Sequence, residues 1–176
     1  MPKVSVITIF LNAGSFIDQT FASVARQNLT DCEMILVDDG SSDSSSAIAR
    51  AAADAGKGRI PYFDHEHYAN LGLAASRNRG LSEASGDLIL NCDADDLLFP
   101  EALTTLAGAL DRRREIDLVS GATLFWNWDP AFAEESDRMR SFRHWAGRTI
   151  DGAKFLAAMI IDETLHPANC STMIRR

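Results

Sequence analysis

Residues 34–41 have the sequence Met34-Ile35-Leu36-Val37-Asp38-Asp39-Gly40-Ser41, an apolar run that ends abruptly in two carboxylates. The pattern returns at residues 88–96, where Leu88-Ile89-Leu90 leads into Asn91-Cys92-Asp93-Ala94-Asp95-Asp96. A short apolar run that ends in acidic residues is typical of a buried strand whose C-terminal end opens into a crevice. Ligands of open α/β sheets bind at that edge. The two segments therefore predict that several carboxylates share one site.

Strand-like and helix-like segments alternate along most of the chain. The segments with a strand pattern are 4–10, 33–37, 59–64, 87–91, 117–121 and 171–174. Those with helical periodicity or helix-start signals are 15–28, 47–55, 74–84, 100–110 and 152–161. Ser15, with Asp18 three residues later, is expected to cap the first helix, and residues 123–149, which show no clear period, are expected to be irregular. The alternation predicts an α/β fold with a Rossmann-like, mostly parallel sheet flanked by helices on both faces.

Length and composition favour a single domain over residues 1–176. The formal net charge of −8 argues against a nucleic-acid duplex or an anionic membrane surface as the main partner. Three cysteines, an odd number without a CxxC pair, are typical of a reduced cytoplasmic protein. No signal peptide is recognised, and the densest later apolar run, at 155–161, is too short to span a bilayer. We therefore expect a cytoplasmic protein with no transmembrane segment and no nucleic-acid partner.

Right-handed crossovers bring the C-terminal ends of parallel strands to one edge of a sheet. The polar side chains expected there are Asn12, Asp38, Asp39, Asp93, Asp95 and Asp96. Two like charges about 4 Å apart cost on the order of 4 kcal/mol at an effective dielectric of about 20, and a hard cation removes that cost. A site with one or two carboxylates suits Mg²⁺ or Mn²⁺ together with ligand phosphates. The alternative is that these aspartates only cap the helices that follow each strand.

Four segments carry a family resemblance in their order and spacing: 4–12 (VSVITIFLN), 35–43 (ILVDDGSSD), 70–80 (NLGLAASRNRG) and 86–96 (GDLILNCDADD), the last followed by Pro100. Together they resemble the nucleotide-sugar-binding half of the family-2 glycosyltransferases, which have the GT-A fold. The resemblance covers residues 3–120 well and the remainder loosely. It implies one GT-A-type domain, with the nucleotide-sugar-binding half at 1–120 and part of an acceptor-side region at 121–176. It further implies that a sugar is transferred, with inversion, from a nucleoside-diphosphate sugar to an acceptor hydroxyl.

The resemblance also implies which residues bind the nucleotide. The residues that would border the nucleobase and ribose are Ile9, Phe10, Leu11 and Asn12. Asp39 would accept a hydrogen bond from a base N–H, because an ionised carboxylate is an acceptor only. Arg77 would approach the nucleotide with forked donors that suit phosphate or a base edge. Many relatives have Pro-Thr-Tyr-Asn where this chain has residues 9–12, so the choice between UDP- and GDP-linked donors stays open.

By the same resemblance, Asp93-Ala94-Asp95 would be a DxD motif. Asp93 and Ala94 would contact the nucleotide sugar, and Asp95 would ligate Mn²⁺ or Mg²⁺, with Asp93 as the second residue of the metal site. The metal would steady charge on the leaving nucleoside diphosphate. The acceptor would be a glycan or a lipid-linked molecule, which allows a peripheral location at the inner face of a membrane.

The resemblance places the catalytic base beyond Arg176, so the base stays unassigned and the chain is expected to be part of a longer domain. The in-chain candidates for the base are Asp129, Glu134, Asp162 and Glu163. One alternative function is a nucleotide-sugar-binding module without turnover. Another is an Asp-dependent phosphohydrolase, which needs a nucleophilic aspartate just after the first strand, where Asn12 stands.

Overall fold

The computed structural model describes residues 3–126, 138–140, 147–161 and 167–176. Six of its strands are β1 (Val4–Phe10), β2 (Cys32–Asp38), β3 (Tyr62–Asp64), β4 (Leu88–Asn91), β5 (Leu118–Ser120) and β8 (Thr172–Arg175). They form one sheet with the order β3-β2-β1-β4-β8-β5. A separate two-stranded sheet consists of β6 (Thr123–Phe125) and β7 (Arg138–Arg140). The described helices are α1 (Ile17–Ala25), α2 (Ser45–Ala55), α3 (Leu73–Glu83), α4 (Ala102–Arg112) and α5 (Gly152–Ile161).

Strand direction brings several chain segments to one edge of the six-stranded sheet. β1 pairs in parallel with β2 and β4, and β2 pairs in parallel with β3. The C-terminal ends of β1, β2 and β4 therefore lie at the same edge. β8 is inserted antiparallel between β4 and β5, with Met173 opposite Leu90 and Arg175 opposite Leu88. The residues just before β8 consequently approach the C-terminal end of β4.

Alternate residues of β1 enter two different cores, because successive side chains of a strand point to opposite faces. All seven residues of β1 are buried. Val4, Val6 and Phe10 join the larger core, to which α1, α2 and α4 contribute. Ile7 and Ile9 join the smaller core on the opposite face, which lies against α3. Helices therefore cover both faces of the sheet.

α3 lies close to the sheet because Gly80 has no side chain. A Cβ at this position would collide with Cγ2 of Ile7. Extra atoms forced into a packed core typically cost about 1–3 kcal/mol. With α3 seated on β1 and β2, its N-terminal end reaches the C-terminal end of β2.

The predicted mostly parallel sheet with helices on both faces is confirmed. The predicted cap of α1 is wrong: the helix begins at Ile17, and the carbonyl of Ala13 accepts the amides of Phe16 and Ile17 in place of a Ser15 cap. The prediction that 123–149 is irregular is wrong in part, because β6 and β7 pair within it. Strands of three residues are too short to show an alternating pattern.

None of the helices in the described ranges has both the length and the hydropathy that a bilayer crossing requires. The longest of them have 11 residues, whereas a spanning helix needs about 20 apolar residues.

Candidate functional site

Asp38 is buried at the end of β2 and is bonded through both carboxylate oxygens. Its Oδ1 accepts from the amide of Ser41 at 2.8 Å. Its Oδ2 accepts from the hydroxyl of Ser46 and, at 2.9 Å, from that of Tyr62. Burial pushes the pKa of Asp38 up, but the hydrogen bonds from Ser46, Ser41 and Tyr62 outweigh it and hold the pKa below its usual range. Asp38 is therefore an ionised structural group that stabilises the connection from β2 to α2.

Asp39, also buried, anchors the connection from β3 to α3. Its Oδ1 accepts from the amide of Leu71 at 3.0 Å, from the amide of Gly72 at 3.1 Å and from the hydroxyl of Ser76 at 2.9 Å. Within the described part of the chain, Oδ2 has one hydrogen-bond contact, with the amide of Gly72 at 3.1 Å. Oδ2 is therefore the carboxylate oxygen of Asp39 with capacity to spare for a ligand.

Asn12 joins the end of β1 to the turn after β2. Its backbone is left-handed, with φ 54°, a conformation that asparagine adopts more readily than most residues. Its Oδ1 accepts from the amides of Ser42 at 2.8 Å and Asp43 at 3.3 Å, and its own amide donates to Oγ of Ser41 at 3.0 Å. The loops that follow β1 and β2 are thereby held together.

The C-terminal end of β4 is much less satisfied. Oδ2 of Asp93 accepts from Nδ2 of Asn169 at 3.0 Å, and its Oδ1 lies 3.7 Å from Nη2 of Arg77. Asp95 is exposed and has no hydrogen bond or ion pair with the residues that the structure describes. This end of the sheet therefore presents carboxylate oxygens that are open to a ligand or to solvent.

Asp96 follows Asp95 in the chain, and its backbone amide donates to the carbonyl of Asp93 at 3.0 Å. Burial raises the pKa of Asp96, a hydrogen bond from the Cys170 thiol lowers it, and the carboxylates of Asp93 and Asp95 raise it again, with a net result above the usual range. Burial and the neighbouring Asp96 carboxylate raise the pKa of Cys170 to about 12, so its thiol stays protonated. The raised pKa of Asp96 therefore reflects first its burial and then the carboxylates of Asp93 and Asp95 beside it.

α3 connects the two acidic ends through two consecutive residues. Ser76 donates to Asp39, and Arg77 faces Asp93. Nε and Nη2 of Arg77 are buried and have no hydrogen-bond partner among the described residues, whereas buried polar groups normally have one. A forked donor left without an acceptor suits a phosphate group or a base edge.

Side chains of α1 and of the residues just after it form hydrogen bonds with the acidic loop that follows β4. Thr20 donates to the carbonyl of Ala94 at 2.8 Å, and Ser23 accepts from the amide of Leu98 at 3.2 Å. Gln27 bonds the same connection twice more, to the carbonyl of Phe99 and the amide of Leu103. Residues 20 and 23 share one face of α1, and Gln27 lies two residues beyond the end of this helix. The spacing of these polar residues beside the apolar ones is the sequence signal that could have predicted a bracing role for α1.

Comparison with known proteins assigns this arrangement to a family. Residues 5–176 match the model described as Glycosyl transferase family 2. The chain belongs to this family. One curated relative, the cholesterol galactosyltransferase of Borreliella burgdorferi, is 40% identical over 104 residues, which are 59% of this chain and 28% of the relative.

Two solved structures share the fold of this family-2 chain. S. aureus TarS 1–349 in complex with UDP-GlcNAc has a TM-score of 0.59 and 29% identity, with 66% of this chain and 33% of that chain covered. The mannosyltransferase PcManGT from Pyrobaculum calidifontis, in complex with GDP-Man and Mn²⁺, has a TM-score of 0.58 and 26% identity, with 68% and 35% covered. The predicted GT-A fold is confirmed. The chain spans about a third of the length of each of these proteins.

The five residues at 9–12 and 94, all predicted to contact the nucleotide sugar, lie in different surroundings in this family-2 chain. Ile9 and Phe10 lie within β1, only 8% and 2% exposed, and their side chains pack in the two cores. Leu11 is 45% exposed, and Asn12 follows it in the loop. Ala94 is 6% exposed and packs into the larger core. Leu11 and Asn12 are therefore the members of this group with side chains at the sheet edge, while Ile9, Phe10 and Ala94 support it.

Asn169 belongs to the site although no motif in the sequence points to it. It precedes β8 by three residues and reaches Asp93 because β8 runs antiparallel to β4. A strand pattern in the sequence does not reveal strand direction, so the asparagine could not be assigned to this edge from its position alone.

The oxygen donors at the end of β4 suit a hard cation that also has phosphate ligands. Among the described residues, no group of three or more His, Cys, Asp or Glu side chains could hold a metal ion. Asp95 is unengaged and Asp93 is partly engaged. A cation bound by one or two carboxylates completes its coordination with phosphate and water oxygens, which is the habit of Mg²⁺. The residues therefore fit Mn²⁺ or Mg²⁺ bound together with a diphosphate.

Proposed function

We propose that this family-2 chain binds the donor in an inverting transfer of a sugar from a UDP- or GDP-linked donor to an acceptor hydroxyl, with Mn²⁺ or Mg²⁺. The observation that carries the proposal is the position of Arg77. Nε and Nη2 of its guanidinium are buried and lack a hydrogen-bond partner among the described residues, and the group stands between the ordered Asp39 and the under-bonded end of β4. A diphosphate would give this guanidinium an acceptor, and a cation would neutralise the carboxylates beside it.

The nucleotide end of the donor would lie over the ends of β1 and β2. Oδ2 of Asp39 would accept from a base N–H, and Leu11 and Asn12 would border the base and ribose. The support for these roles is the spare acceptor capacity of Oδ2 and the exposure of Leu11. Asp93 would contact the ribose. Its Oδ2 accepts a hydrogen bond from Asn169, and its Oδ1 lies 3.7 Å from Nη2 of Arg77.

The diphosphate would lie against Arg77 and the cation against Asp95, with Asp93 as the second residue of the metal site. When bound, Mn²⁺ or Mg²⁺ supplies a Lewis acid that stabilises the charge of the leaving diphosphate. In the step itself, the acceptor oxygen bonds to the anomeric carbon as the bond to the nucleoside diphosphate breaks, and a base takes the proton of the acceptor hydroxyl. One such direct displacement inverts the anomeric centre.

We do not assign the base to Asp38, Asp39 or Asp93. Asp38 and Asp39 are buried and accept several hydrogen bonds each, and Asp93, which accepts one from Asn169 and faces Arg77 at 3.7 Å, is proposed for the nucleotide sugar and the metal. The in-chain candidates lie outside the described residues and comprise Asp129, Glu134, Asp162 and Glu163.

We propose a glycan or a lipid-linked molecule as the acceptor. The name of the cholesterol galactosyltransferase relative supports a lipid hydroxyl among the acceptors that this family serves. A reaction on the cytoplasmic side of a membrane would bring such an acceptor to the chain.

The proposal is tested by calorimetric titration of UDP and GDP, each with and without Mn²⁺. We expect one nucleotide to bind, at least about tenfold more tightly with the metal. The Asp95→Ala variant should lose that metal dependence, whereas Asp54→Ala, an exposed aspartate of α2, should keep it. Absence of binding by either nucleotide, or an unchanged metal dependence in Asp95→Ala, would contradict the proposal.

A nucleotide-sugar-binding module without turnover is the second candidate. It is favoured by the lack of an assigned base, since internal donors engage Asp38 and Asp39, and Asp93 and Asp95 are proposed for the nucleotide sugar and the metal. Incubation of the chain with UDP-GlcNAc or GDP-mannose and Mn²⁺ distinguishes the two, because a transferase hydrolyses its donor slowly and a module does not. A phosphohydrolase has less support, since the side-chain oxygen of Asn12 is occupied by the backbone after β2.

A further inference from the structure

His65 is a partly buried histidine beside the proposed nucleobase site. Its side chain is 9% exposed, and its Nε2 lies 2.7 Å from Oγ of Ser76 and 3.5 Å from Oδ1 of Asp39. Ser76 is fully buried. His67, two residues later in the same loop, has a side chain that is 90% exposed. The loop therefore contains one histidine built into the structure and one that serves as a natural comparison.

The direction of each hydrogen bond in this group follows from counting protons. The hydroxyl of Ser76 has one proton, and it donates that proton to Oδ1 of Asp39 at 2.9 Å. Ser76 can then only accept from His65, because a hydroxyl has no second proton. Nε2 of His65 must therefore carry a proton, which defines the tautomer of the neutral ring. The order of donation is His65 to Ser76 to Asp39.

This order determines how the Asp39 carboxylate is held. Ser76 and the amides of Leu71 and Gly72 converge on Oδ1, and Oδ2 meets the Gly72 amide alone in the described structure. If the His65 donor were lost, the hydrogen bond from Ser76 to Oδ1 would be weaker and less well oriented. The carboxylate would then be held mainly by the amides of Leu71 and Gly72 and would be less firmly positioned.

We propose that His65, acting through Ser76, is a positioning residue that holds Asp39 for recognition of the donor nucleobase. The inference rests on the proposed function and goes beyond it, since it assigns a role to a residue outside the four family motifs. His65 contributes to binding of the base and not to binding of the diphosphate, which the chain meets at Arg77 and Asp95.

The test compares two ligands in the presence of Mn²⁺: UDP or GDP, whichever the wild-type chain binds more tightly, and ribose 5-diphosphate, which lacks the base. His65→Leu removes the donor and keeps the bulk. His65→Gln returns an amide N–H near the position of Nε2. Ser76→Ala removes the intermediate hydroxyl, and His67→Leu is the matched control.

We expect His65→Leu and Ser76→Ala to bind the nucleoside diphosphate about tenfold more weakly, the loss typical of one hydrogen bond to a charged group. Their affinity for ribose 5-diphosphate should stay within about twofold of wild type, which also shows that the site is folded. His65→Gln should recover most of the loss, and His67→Leu should match wild type.

Two results would overturn the inference alone: equal losses for both ligands, or an unchanged affinity for the nucleoside diphosphate in His65→Leu and Ser76→Ala. If the wild-type chain binds neither UDP nor GDP, the proposed function fails, and the inference fails with it. If His65→Leu does not fold, the affinities of Ser76→Ala and wild type for the nucleoside diphosphate and for ribose 5-diphosphate provide the same test.

Discussion

The ends of β2 and β4 both carry aspartate carboxylates, but the two sets differ in burial and in hydrogen bonding. At the end of β2, Asp38 and Asp39 are buried, and each accepts hydrogen bonds from backbone and hydroxyl donors. At the end of β4, Asp95 is exposed without a partner in the described residues, and the carboxylates crowd each other. The pKa of Asp38 is lowered and that of Asp96 is raised. The carboxylates of the first group are bonded by the protein itself, whereas the second group includes carboxylate oxygens open to a ligand.

The largest expected effect is a difference in folding stability between variants at the ends of β2 and β4. Asp38→Ala leaves the partly buried donors of Ser41, Ser46 and Tyr62 without an acceptor and should lower the free energy of unfolding by about 3 kcal/mol. Asp95→Ala removes an exposed charge and should change it by no more than about 0.5 kcal/mol. Urea denaturation of both variants measures the difference. The contrast between the two strand ends is contradicted if Asp38→Ala lowers the free energy of unfolding no more than Asp95→Ala does.

A smaller effect is expected from the partner of Asp93. Asn169→Ala removes the donor that holds Oδ2 of Asp93 and should weaken Mn²⁺ affinity of the UDP or GDP complex by about tenfold, as is common for residues that orient a ligand of a metal. Asn28→Ala, an exposed asparagine after α1, is the control. Equal Mn²⁺ affinities in the two variants would remove Asn169 from the site.

The smallest effect concerns acid stability in metal-free buffer. The pKa of Asp38 is lowered in the folded chain, so its stabilisation is complete above about pH 4 and is lost as the pH falls through the lowered pKa. The pKa of Asp96 is raised, so stability decreases as the pH rises from about 4 through the raised pKa.

Urea midpoints between about pH 2.5 and 6 test both signs, because stability follows the difference in bound protons between the folded and unfolded states. Asp38→Asn should flatten the acid limb, and Asp96→Asn should remove the decrease above about pH 4. If both variants shift the profile in the same direction, the two ends of the sheet do not differ in the way their bonding indicates.

Much of the fold and part of the site could be predicted because local patterns report on local structure. Apolar runs that end in aspartates predict β2 and β4, and alternation with helices predicts the layered sheet, which the structure confirms. The predicted Ser15 cap is wrong, since the backbone of Ala13 accepts the amides that a side chain was expected to bind. Such competition between backbone and side chain is not visible in a sequence.

The residues that complete the site come from long-range packing. Asn169 reaches Asp93, and Thr20 reaches Ala94, across separations of 76 and 74 positions. In the sequence, His65 is recognisable only as one histidine of the His65-Glu66-His67 pattern, which is a weak signal of metal binding. In the structure its ring contacts Ser76. Each of these contacts depends on how helices and an antiparallel strand are seated on the sheet.

By itself the sequence determined which strands are buried and which strand ends carry acid, because hydrophobic periodicity and residue type are properties of adjacent positions. The tertiary structure alone decided which of those acids are satisfied. Whether a carboxylate is neutralised by internal donors or left to bind a ligand depends on groups brought within about 3 Å of it, and these groups come from distant parts of the chain.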